Sequence, residues 1–265
     1  MNPFMQLLAN SPAQSLVGTW LMSASPLVAE AMGCAGFDWG VVDLEHTPLD
    51  LMNTVHMLQA IAGTRLQPVV RVPWNDAVAI KRLLDAGTQT LLVPFVQNAE
   101  EARAAVAATR YPPGGIRGIA GMSRASRFGT APNYLTTANE GMAVIVQLET
   151  REAIARVDEI AAVDGIDALF VGPGDLSATM GHVGQLQHPA VMDEVRKAVA
   201  GAKAAGKPIG TVGGTPEIVA QYRDMGFDFL AIASDLGLLM RGAQAAAAAV
   251  RARPESKAAA VQGPY

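Results

Sequence analysis

The segment AVIVQLETREAIARVDEIAAVDGIDALFV, residues 143–171, contains the unit from which the fold can be inferred. An apolar, β-branched run (Ala143–Leu148) precedes a stretch with helical spacing (Glu152–Ala161), and a second apolar run (Asp167–Val171) follows Gly165. Apolar runs separated by a helix are typical of parallel β-α-β units, and glycine is favoured just past the end of a helix. The segment therefore predicts two neighbouring parallel strands joined by a helix.

The same unit recurs along the whole chain. The candidate strands are Leu16–Leu21, Gly40–Leu44, Pro68–Val72, Thr90–Phe95, Ala143–Leu148, Asp167–Val171, Pro208–Val212 and Asp228–Ala233. The helical stretches between them include Leu51–Ile61, Ala77–Ala86, Ala99–Thr109, Glu152–Ala161, Ala190–Ala205, Pro216–Met225 and Leu236–Val250. Eight such strands in about 240 residues predict a single-domain α/β fold, the closed (β/α)8 or TIM barrel. An open doubly wound sheet is the weaker alternative, because no GxGxxG motif follows the first strand.

Two segments interrupt this regular alternation. Residues Tyr111–Thr137 are rich in Gly, Pro, Arg and Ser and are too long for an ordinary strand-to-helix loop, so we expect a functional role or an oligomer contact. The sequence PESKAAAVQGPY, residues 254–265, predicts a flexible C-terminal tail. The predicted barrel domain therefore spans residues 1–253.

The composition excludes several classes of protein. Half of the 265 residues are apolar and 17% are charged, which favours a large buried core over disorder. The formal charge of −4 lacks the basic excess that nucleic-acid binding requires. Cys34 is the single cysteine, so we expect no intrachain disulfide or multi-cysteine metal site, and we expect Cys34 to be a small core residue. With no long uncharged apolar run, the sequence predicts a soluble cytoplasmic protein without a membrane partner.

Polar residues cluster where the predicted strands end. They are Asp43, Glu45 and His46 after the second strand, Arg71 at the end of the third, Gln147 and Glu149 at the fifth, and Asp175 after the sixth. In a TIM barrel these ends form the active-site face. Each charged group could instead belong to a structural ion pair, and Arg71 could simply be the partner of Asp43 or Glu45. Several such groups at one face favour a functional site.

The residue types suggest particular chemistry. Glu149 and Asp175 follow neighbouring strands, and two carboxylates are a typical protein contribution to a Mg²⁺ or Mn²⁺ site. A glycosidase carboxylate pair is less favoured, since the chain has few aromatic residues to stack against sugars. No lysine ends a strand, which argues against a Schiff-base mechanism. Residues 211–216 (TVGGTP) could hold a phosphate or could be a tight turn.

Seven stretches of the chain resemble the HpcH/HpaI aldolases, metal-dependent class II aldolases that act on pyruvate. They are GTWLMSASP (18–26), DWGVVDLEHTP (38–48), LLDAGTQTLLVPFV (83–96) after the Arg71 strand, TRYPPGGIRGI (109–119), RASRFG (124–129), VQLET (146–150) and VDGIDALFVGPGDLSATMG (163–181). They occur in the family order and span nearly the whole chain, and GPGDLS at its distance from QLE is the most specific of them.

The resemblance implies a role for each matching residue. Glu149 and Asp175 would hold a divalent metal (Mg²⁺, Mn²⁺ or Co²⁺), and Gln147, Gly172 and Gly174 would contact pyruvate together with Asp175. Arg71 would bind substrate and stabilise the enolate. His46 and Asp85 would form the dyad that transfers protons. Many relatives have Ala or Thr in place of Gly174, which implies a looser carboxylate contact here.

The function implied by the resemblance is that of an aldehyde-lyase. It would cleave a 4-hydroxy-2-oxo acid reversibly to pyruvate and an aldehyde, as 4-hydroxy-2-oxoheptanedioate or 2-dehydro-3-deoxy-sugar-acid aldolases do in the catabolism of aromatic compounds or sugar acids. The main alternative is a CoA-ester lyase of the citrate-lyase β type, although no basic patch for CoA phosphates is evident. The resemblance also implies a homohexamer, a trimer of dimers, in which paired subunits exchange the last helix, Leu236–Val250. Trp74, Phe95, Val212 and the loop 123–129 are candidates for shaping the aldehyde site.

Overall fold

Eight parallel strands close into a barrel in the computed structural model, which describes residues 2–11 and 15–251. Each strand pairs with the next along the chain, and the last pairs with the first. The strands are β1 (Leu16–Leu21), β2 (Trp39–Asp43), β3 (Gln67–Arg71), β4 (Thr90–Val93), β5 (Ala143–Leu148), β6 (Ala168–Val171), β7 (Ile209–Gly213) and β8 (Phe229–Ser234). The predicted TIM-type α/β barrel is confirmed.

Helices follow the strands and surround the barrel. They are α1 (Pro3–Asn10), α2 (Pro26–Cys34), α3 (Leu51–Ile61), α4 (Ala77–Asp85), α5 (Ala99–Thr109), α6 (Tyr134–Thr137), α7 (Arg151–Ile154), α8 (Val157–Ala161), α9 (Pro173–Thr179), α10 (Pro189–Ala204), α11 (Pro216–Asp224) and α12 (Asp235–Arg251). The predicted helix Glu152–Ala161 is instead the two short helices α7 and α8. The predicted boundary at residue 253 and the tail 254–265 lie outside the described residues.

The barrel interior is filled by alternate residues of the strands. Successive side chains of a strand point to opposite faces, so a residue and its second neighbour share a face. The interior cluster includes Trp39 and Val41 of β2, Val69 of β3 and Ile145 of β5. The other face of the sheet packs against the helices in a larger apolar cluster. This alternation decides which side chains reach the two open ends of the barrel.

A short N-terminal helix, α1, closes the end of the barrel where the strands begin, which we call the base. The side chain of Asn2 caps α1 and also donates to the backbone oxygens of Gln89 and Gly141. Phe4 is 1% exposed and makes edge-to-face contacts with Trp39 and Phe229, at ring-centroid distances of 5.9 and 5.4 Å. The sequence analysis did not predict this helix.

The long segment 111–137 lies at the base. It connects α5 to β5, so it is a helix-to-strand connection and not the strand-to-helix loop that its length suggested. Its Arg117 is buried, and Nη2 lies 2.8 Å from Oδ1 of Asp85 at the end of α4. The expectation for Cys34 was also wrong, because its side chain is exposed at the end of α2. None of the helices in the described part of the chain is long and apolar enough to span a bilayer.

Candidate active site

Strand alternation brings three polar side chains to the end of the barrel where the strands finish, which we call the mouth. Asp43, Arg71 and Gln147 each lie two positions after an interior residue of the same strand, namely Val41, Val69 and Ile145. They therefore point inward, above the apolar interior. All three are buried, with exposed fractions of 0%, 7% and 1%. The barrel thus ends in a polar layer at its mouth.

A cavity of about 360 Å³ opens at this layer. Its walls include the following sequence-predicted residues: His46, Arg71, Gln147, Glu149, Gly172, Gly174 and Asp175. The volume lies within the range of sites for small molecules. The residues come from the ends of β2, β3, β5 and β6 and from the start of α9. The structure therefore brings together all of the predicted site residues except Asp85.

Arg71 is held by two carboxylates. Its Nε and Nη2 atoms donate to Oδ1 and Oδ2 of Asp43 at 2.8 and 2.7 Å, and Nη1 lies 2.7 Å from Oε2 of Glu45. Burial alone would lower the pKa of Arg71, but the hydrogen bond and charge of Asp43, with the charges of Glu45 and Glu149, raise it above its usual value. The structural ion pair considered for Arg71 is present, and it fixes a permanent positive charge in the cavity wall.

Glu149 is a carboxylate enclosed within the protein. Only 1% of the residue is exposed, and burial raises the pKa of Glu149 to about 8, with further contributions from the charges of Glu45 and Asp175. Oε1 accepts a hydrogen bond from Nε2 of Gln147 and Oε2 accepts one from the backbone N–H of Phe95, both at 2.8 Å. Phe95 adopts a left-handed backbone conformation (φ 55°), which is costly for a bulky residue. Strain at Phe95 thus accompanies the placement of Glu149.

Gly172 allows Glu149 to lie close to the start of α9. A Cβ atom at Gly172 would lie 2.4 Å from Oε1 of Glu149, so any larger residue would displace the carboxylate. Gly174 is different, because a Cβ atom there would have no neighbour within 4 Å. Asp175 lies in the first turn of α9 and is half-buried in the cavity wall. Gly172 therefore leaves room for the carboxylate of Glu149, and Gly174 leaves the space beside Asp175 free.

The oxygen atoms around Glu149 fit a hard divalent cation. Each carboxylate oxygen of Glu149 accepts one hydrogen bond and so keeps a lone pair. Oε1 of Gln147 is buried and has no hydrogen-bond partner, and Asp175 adds a second carboxylate. Within residues 2–11 and 15–251 no three His, Cys, Asp or Glu side chains form a metal-binding group. A cation that takes two carboxylates and completes its shell with water and substrate oxygens suits this arrangement.

His46 and Asp85 lie apart within one chain. His46 is exposed in the cavity wall, and its Nε2 atom lies 3.8 Å from Oε2 of Glu45. Asp85 is the last residue of α4, at the base, where it pairs with Arg117. Helices of a β/α barrel run from the mouth back to the base, so the end of α4 and the loop after β2 are at opposite ends. The only carboxylate near His46 in its own chain is thus Glu45, among the described residues.

The cavity also contains residues that the sequence analysis did not single out. The cavity is lined by Trp20, Met22, Phe170, Ser234 and Arg241. Val212, a sequence-based candidate for shaping the aldehyde site, lines it as well. Most of these residues lie on strands or a helix that the sequence did predict. The apolar ones could not be told apart from ordinary core residues of a strand. An arginine in a helix looks like a solvated surface residue, so Arg241 carried no distinguishing pattern.

The remaining candidates for the aldehyde site lie elsewhere. Trp74 and Phe95 stack on each other, with ring centroids 6.1 Å apart, and neither lines the cavity. The loop 123–129 is at the base, where Arg124 donates to the backbone oxygen of Ala86. In the segment 211–216, residues 211–213 end β7, and Thr215 caps α11 by accepting from the N–H of Ile218.

Comparison with known proteins identifies the family to which the chain belongs. A family model described as HpcH/HpaI aldolase/citrate lyase matches residues 16–242. The chain is 51% identical over 244 residues to 2-dehydro-3,6-dideoxy-6-sulfogluconate aldolase of Pseudomonas putida, an alignment that covers 92% of this chain and 96% of the relative. It is 50% identical over 250 residues to 4-hydroxy-2-oxo-heptane-1,7-dioate aldolase of Salmonella arizonae, with 94% of each chain covered.

A solved structure shares the whole architecture. The crystal structure of an HpcH/HpaI aldolase/citrate lyase family protein from Burkholderia cenocepacia J2315 superposes with a TM-score of 0.92 at 40% identity, and the match covers 95% of this chain and 100% of that one. The two curated relatives are named as aldolases, which are carbon–carbon lyases, in agreement with the enzyme class that the sequence resemblance implied. The chain belongs to the HpcH/HpaI aldolase/citrate lyase family.

Proposed function

We propose that this protein is a divalent-metal-dependent aldolase that cleaves a 4-hydroxy-2-oxo acid reversibly to pyruvate and an aldehyde. The observation that carries the proposal is the enclosed carboxylate of Glu149, which faces a small-molecule cavity with Asp175 and the unpaired amide oxygen of Gln147. Among the charged groups around it, Arg71 is already paired with Asp43 and Glu45. Neither Glu149 nor Asp175 forms an ion pair with any described residue, so a bound cation is what would balance their negative charge.

Cleavage of the bond between C3 and C4 leaves negative charge on the pyruvate part of the substrate. A divalent cation held by Glu149 and Asp175 would supply Lewis-acid stabilisation of that charge. Arg71 adds a fixed positive charge in the same wall, and two of its five N–H groups are not used by Asp43 or Glu45. The amide of Gln147 and the backbone at Gly172 and Gly174 would orient the pyruvate carboxylate.

The reaction also needs a base for the C4 hydroxyl proton. Imidazole is the most common general base in enzymes, and His46 is the histidine of the cavity wall, so we propose that it acts with water. The dyad with Asp85 cannot form inside one subunit, because the two side chains lie at opposite ends of the barrel. We therefore propose that Asp85 pairs with the His46 of a second copy. The mouth of one subunit would then be active only beside the base of the barrel of a neighbouring subunit.

An assembly of this kind has support from α12. Asp235 is its one buried residue among those described, whereas Leu236, Leu239, Met240 and Val250 are exposed along the helix. We propose that α12 packs against another subunit, within the hexamer of paired subunits that the family resemblance implied. The cytoplasmic location remains a prediction that rests on the single cysteine.

The names of the relatives narrow the substrate class. Both are aldolases of 2-oxo acids or of 2-dehydro sugar acids, and each name includes an acid group at the far end of the carbon chain, a carboxylate in one and a sulfo group in the other. A CoA-ester lyase is the second candidate, because the matching family also includes citrate lyase. It would need a thioester-binding surface beside the same cavity.

A pyruvate-release assay tests the proposal. The protein is assayed on a panel of 4-hydroxy-2-oxo acids and on citramalyl-CoA, a thioester whose cleavage would also release pyruvate, before and after EDTA treatment and after readdition of Mg²⁺, Mn²⁺ or Co²⁺. We expect pyruvate from the hydroxy-oxo acids, loss of activity with EDTA and recovery with metal. Activity that survives thorough chelation would exclude the metal mechanism, and preference for a thioester would favour the second candidate.

A further inference from the structure

Arg241 is a positively charged residue of the mouth that the proposed chemistry does not use. It lies on α12, which follows β8, and it lines the same cavity as Glu149 and Asp175. Within the described residues no carboxylate lies within 4 Å of its guanidinium, whereas Arg71 in the same cavity is held by two. Within its own described chain, Arg241 is therefore a cation whose hydrogen-bond donors are available to a ligand.

The position of Arg241 is fixed by the start of α12. Asp235, the first residue of that helix, is 3% exposed and accepts hydrogen bonds from the backbone N–H groups of Met22 and Ser23, at 2.9 and 3.1 Å. These bonds fasten the helix to the loop after β1. Arg241 follows less than two turns later, so its guanidinium is presented at the mouth by a fixed backbone.

Arg241 lies across the mouth from the proposed metal ligands. In the closed barrel the strands occur in sequence order, so β8 and α12 are three strands away from β5, which carries Glu149. Trp20 and Phe170 form an apolar surface between the two sides, with ring centroids 5.6 Å apart. A substrate whose oxo acid end is held at Glu149 would therefore extend its other end towards α12.

A second donor lies beside Arg241. The Oγ atom of Ser234 accepts from the N–H of Gly237 at 3.1 Å, and no acceptor for the Ser234 hydroxyl hydrogen occurs in the part of the chain that the structure covers. Gly237 adjoins both groups, since a Cβ atom there would lie 3.2 Å from Oγ of Ser234 and 3.8 Å from Nη1 of Arg241. The glycine keeps the space between the hydroxyl and the guanidinium free.

We propose that Arg241, assisted by Ser234, binds an anionic group at the end of the substrate opposite the 2-oxo acid. The substrate class is then a 4-hydroxy-2-oxo acid with a second acid group, so the aldehyde product carries a carboxylate or sulfonate. This inference rests on the proposed function, because it takes the oxo acid end to lie at Glu149. A planar guanidinium binds both kinds of anion through paired N–H donors, which selects charge rather than one particular acid.

The test is aldol addition of pyruvate to two aldehydes of similar length, succinic semialdehyde, which carries a carboxylate, and butanal, which does not. We expect Arg241→Gln to lower kcat/KM for succinic semialdehyde by about 10- to 100-fold, the effect of losing hydrogen bonds to a charged group, and to change butanal little. Arg241→Lys should restore part of the loss, and Ser234→Ala should give a smaller loss. Arg103→Gln, at an exposed arginine of α5, is the matched control and should behave as wild type.

Exchange of the methyl protons of pyruvate with deuterated solvent separates this inference from the proposed function. The Arg241 variants should exchange these protons at the wild-type rate, because the pyruvate half of the site is intact. Equal losses with both aldehydes, or no loss with either, would overturn the role of Arg241 while the exchange reaction continues. A wild-type protein that neither exchanges pyruvate protons nor adds pyruvate to any aldehyde would overturn the proposed function itself.

Discussion

The two ends of the barrel are built from the same eight strands but carry different kinds of side chain. At the base, Phe4, Trp39 and Phe229 meet edge to face and exclude water. At the mouth, the next inward positions of the strands carry Asp43 and Arg71. Aromatic contacts stabilise the fold, whereas buried charges cost free energy unless they are paired. The comparison indicates that stability is concentrated at the base and reactivity at the mouth.

Burial of charge alone does not distinguish the two ends. At the base, the buried Arg117 pairs with the half-buried Asp85, and the guanidinium of Arg117 also lies 4.5 Å from the ring centre of Tyr111. That pair ties the segment 111–137 to α4, with no cavity of the mouth beside it. At the mouth, Glu149 has no arginine of its own and faces open space. An unpaired buried charge beside a cavity is therefore the more informative sign of function.

The largest effect should come from removing the carboxylate of Glu149. We expect Glu149→Gln to lower kcat by at least about 1,000-fold, because the variant can no longer hold the cation that stabilises the developing charge. The metal-free variant should be as stable as the metal-free parent or more stable, because a costly buried carboxyl is replaced by a neutral amide of similar size. Pyruvate-release rates and urea unfolding in EDTA measure the two effects.

Glu194 on α10 supplies the matched control. It is also buried, with 6% exposure, but it is paired with Lys197 at 2.8 Å and does not line the cavity. Glu194→Gln should keep full activity and lose about 1 kcal/mol or less of unfolding free energy, since its partners are largely exposed to solvent. Comparable activity losses in the two variants would contradict the special role of a buried carboxylate that faces the cavity.

A smaller effect, of opposite kind, is expected at the base. Phe4→Ala should cost about 3–5 kcal/mol of unfolding free energy, as truncation of a buried aromatic side chain does, while activity per folded molecule stays unchanged at a permissive temperature. Leu27→Ala, at a residue that is 75% exposed, is the control and should change stability little. Thermal unfolding and kcat at 20 °C measure the two effects. A Phe4→Ala variant that lost kcat and stability together would show that the base also contributes to activity.

Sequence patterns predicted most of the barrel. Strands β1 and β5 and helices α3 and α5 have the predicted bounds, because their apolar periodicity is uninterrupted and capping residues such as Asp50 and Asn98 mark the helix starts. The end of β4 was placed two residues too late, since the left-handed turn at Phe95 leaves no mark in an apolar run. Helix α1 was not predicted, because its main contacts are with residues far away in the sequence at the base of the barrel.

The site was predictable to the extent that it follows strand parity. Arg71, Gln147 and Glu149 could be placed at the mouth because each lies near the end of a predicted strand or directly after it. The separation of His46 from Asp85 follows from the predicted barrel, because Asp85 lies at the end of a predicted helix and helix ends lie at the base, whereas the dyad was implied by the family resemblance alone. The place of Arg241 in the cavity wall could not be predicted from the sequence, because its position depends on the hydrogen bonds of Asp235 to the loop after β1.

The smallest effect concerns pH and again separates the mouth from the rest of the protein. Burial raises the pKa of Glu149 to about 8, so below that pH the metal-free protein holds a proton there. A cation binds the carboxylate anion, so each cation captured near pH 7 should release about one proton. The apparent affinity for Mn²⁺ should then fall about tenfold for each pH unit between 8 and 6, and level off above pH 8.

Calorimetric titration with Mn²⁺ in buffers of different ionisation enthalpy counts the released protons. Burial also raises the pKa of Glu45, which pairs with Arg71, so Glu45→Gln is the variant that tells the two carboxyls apart. Proton release that persists in Glu45→Gln assigns the proton to Glu149, because that carboxyl is then the remaining raised one in the cavity wall. An affinity that stays constant from pH 6 to 8 would mean that the cation does not bind at Glu149, and the contrast between mouth and base would lose its chemical meaning.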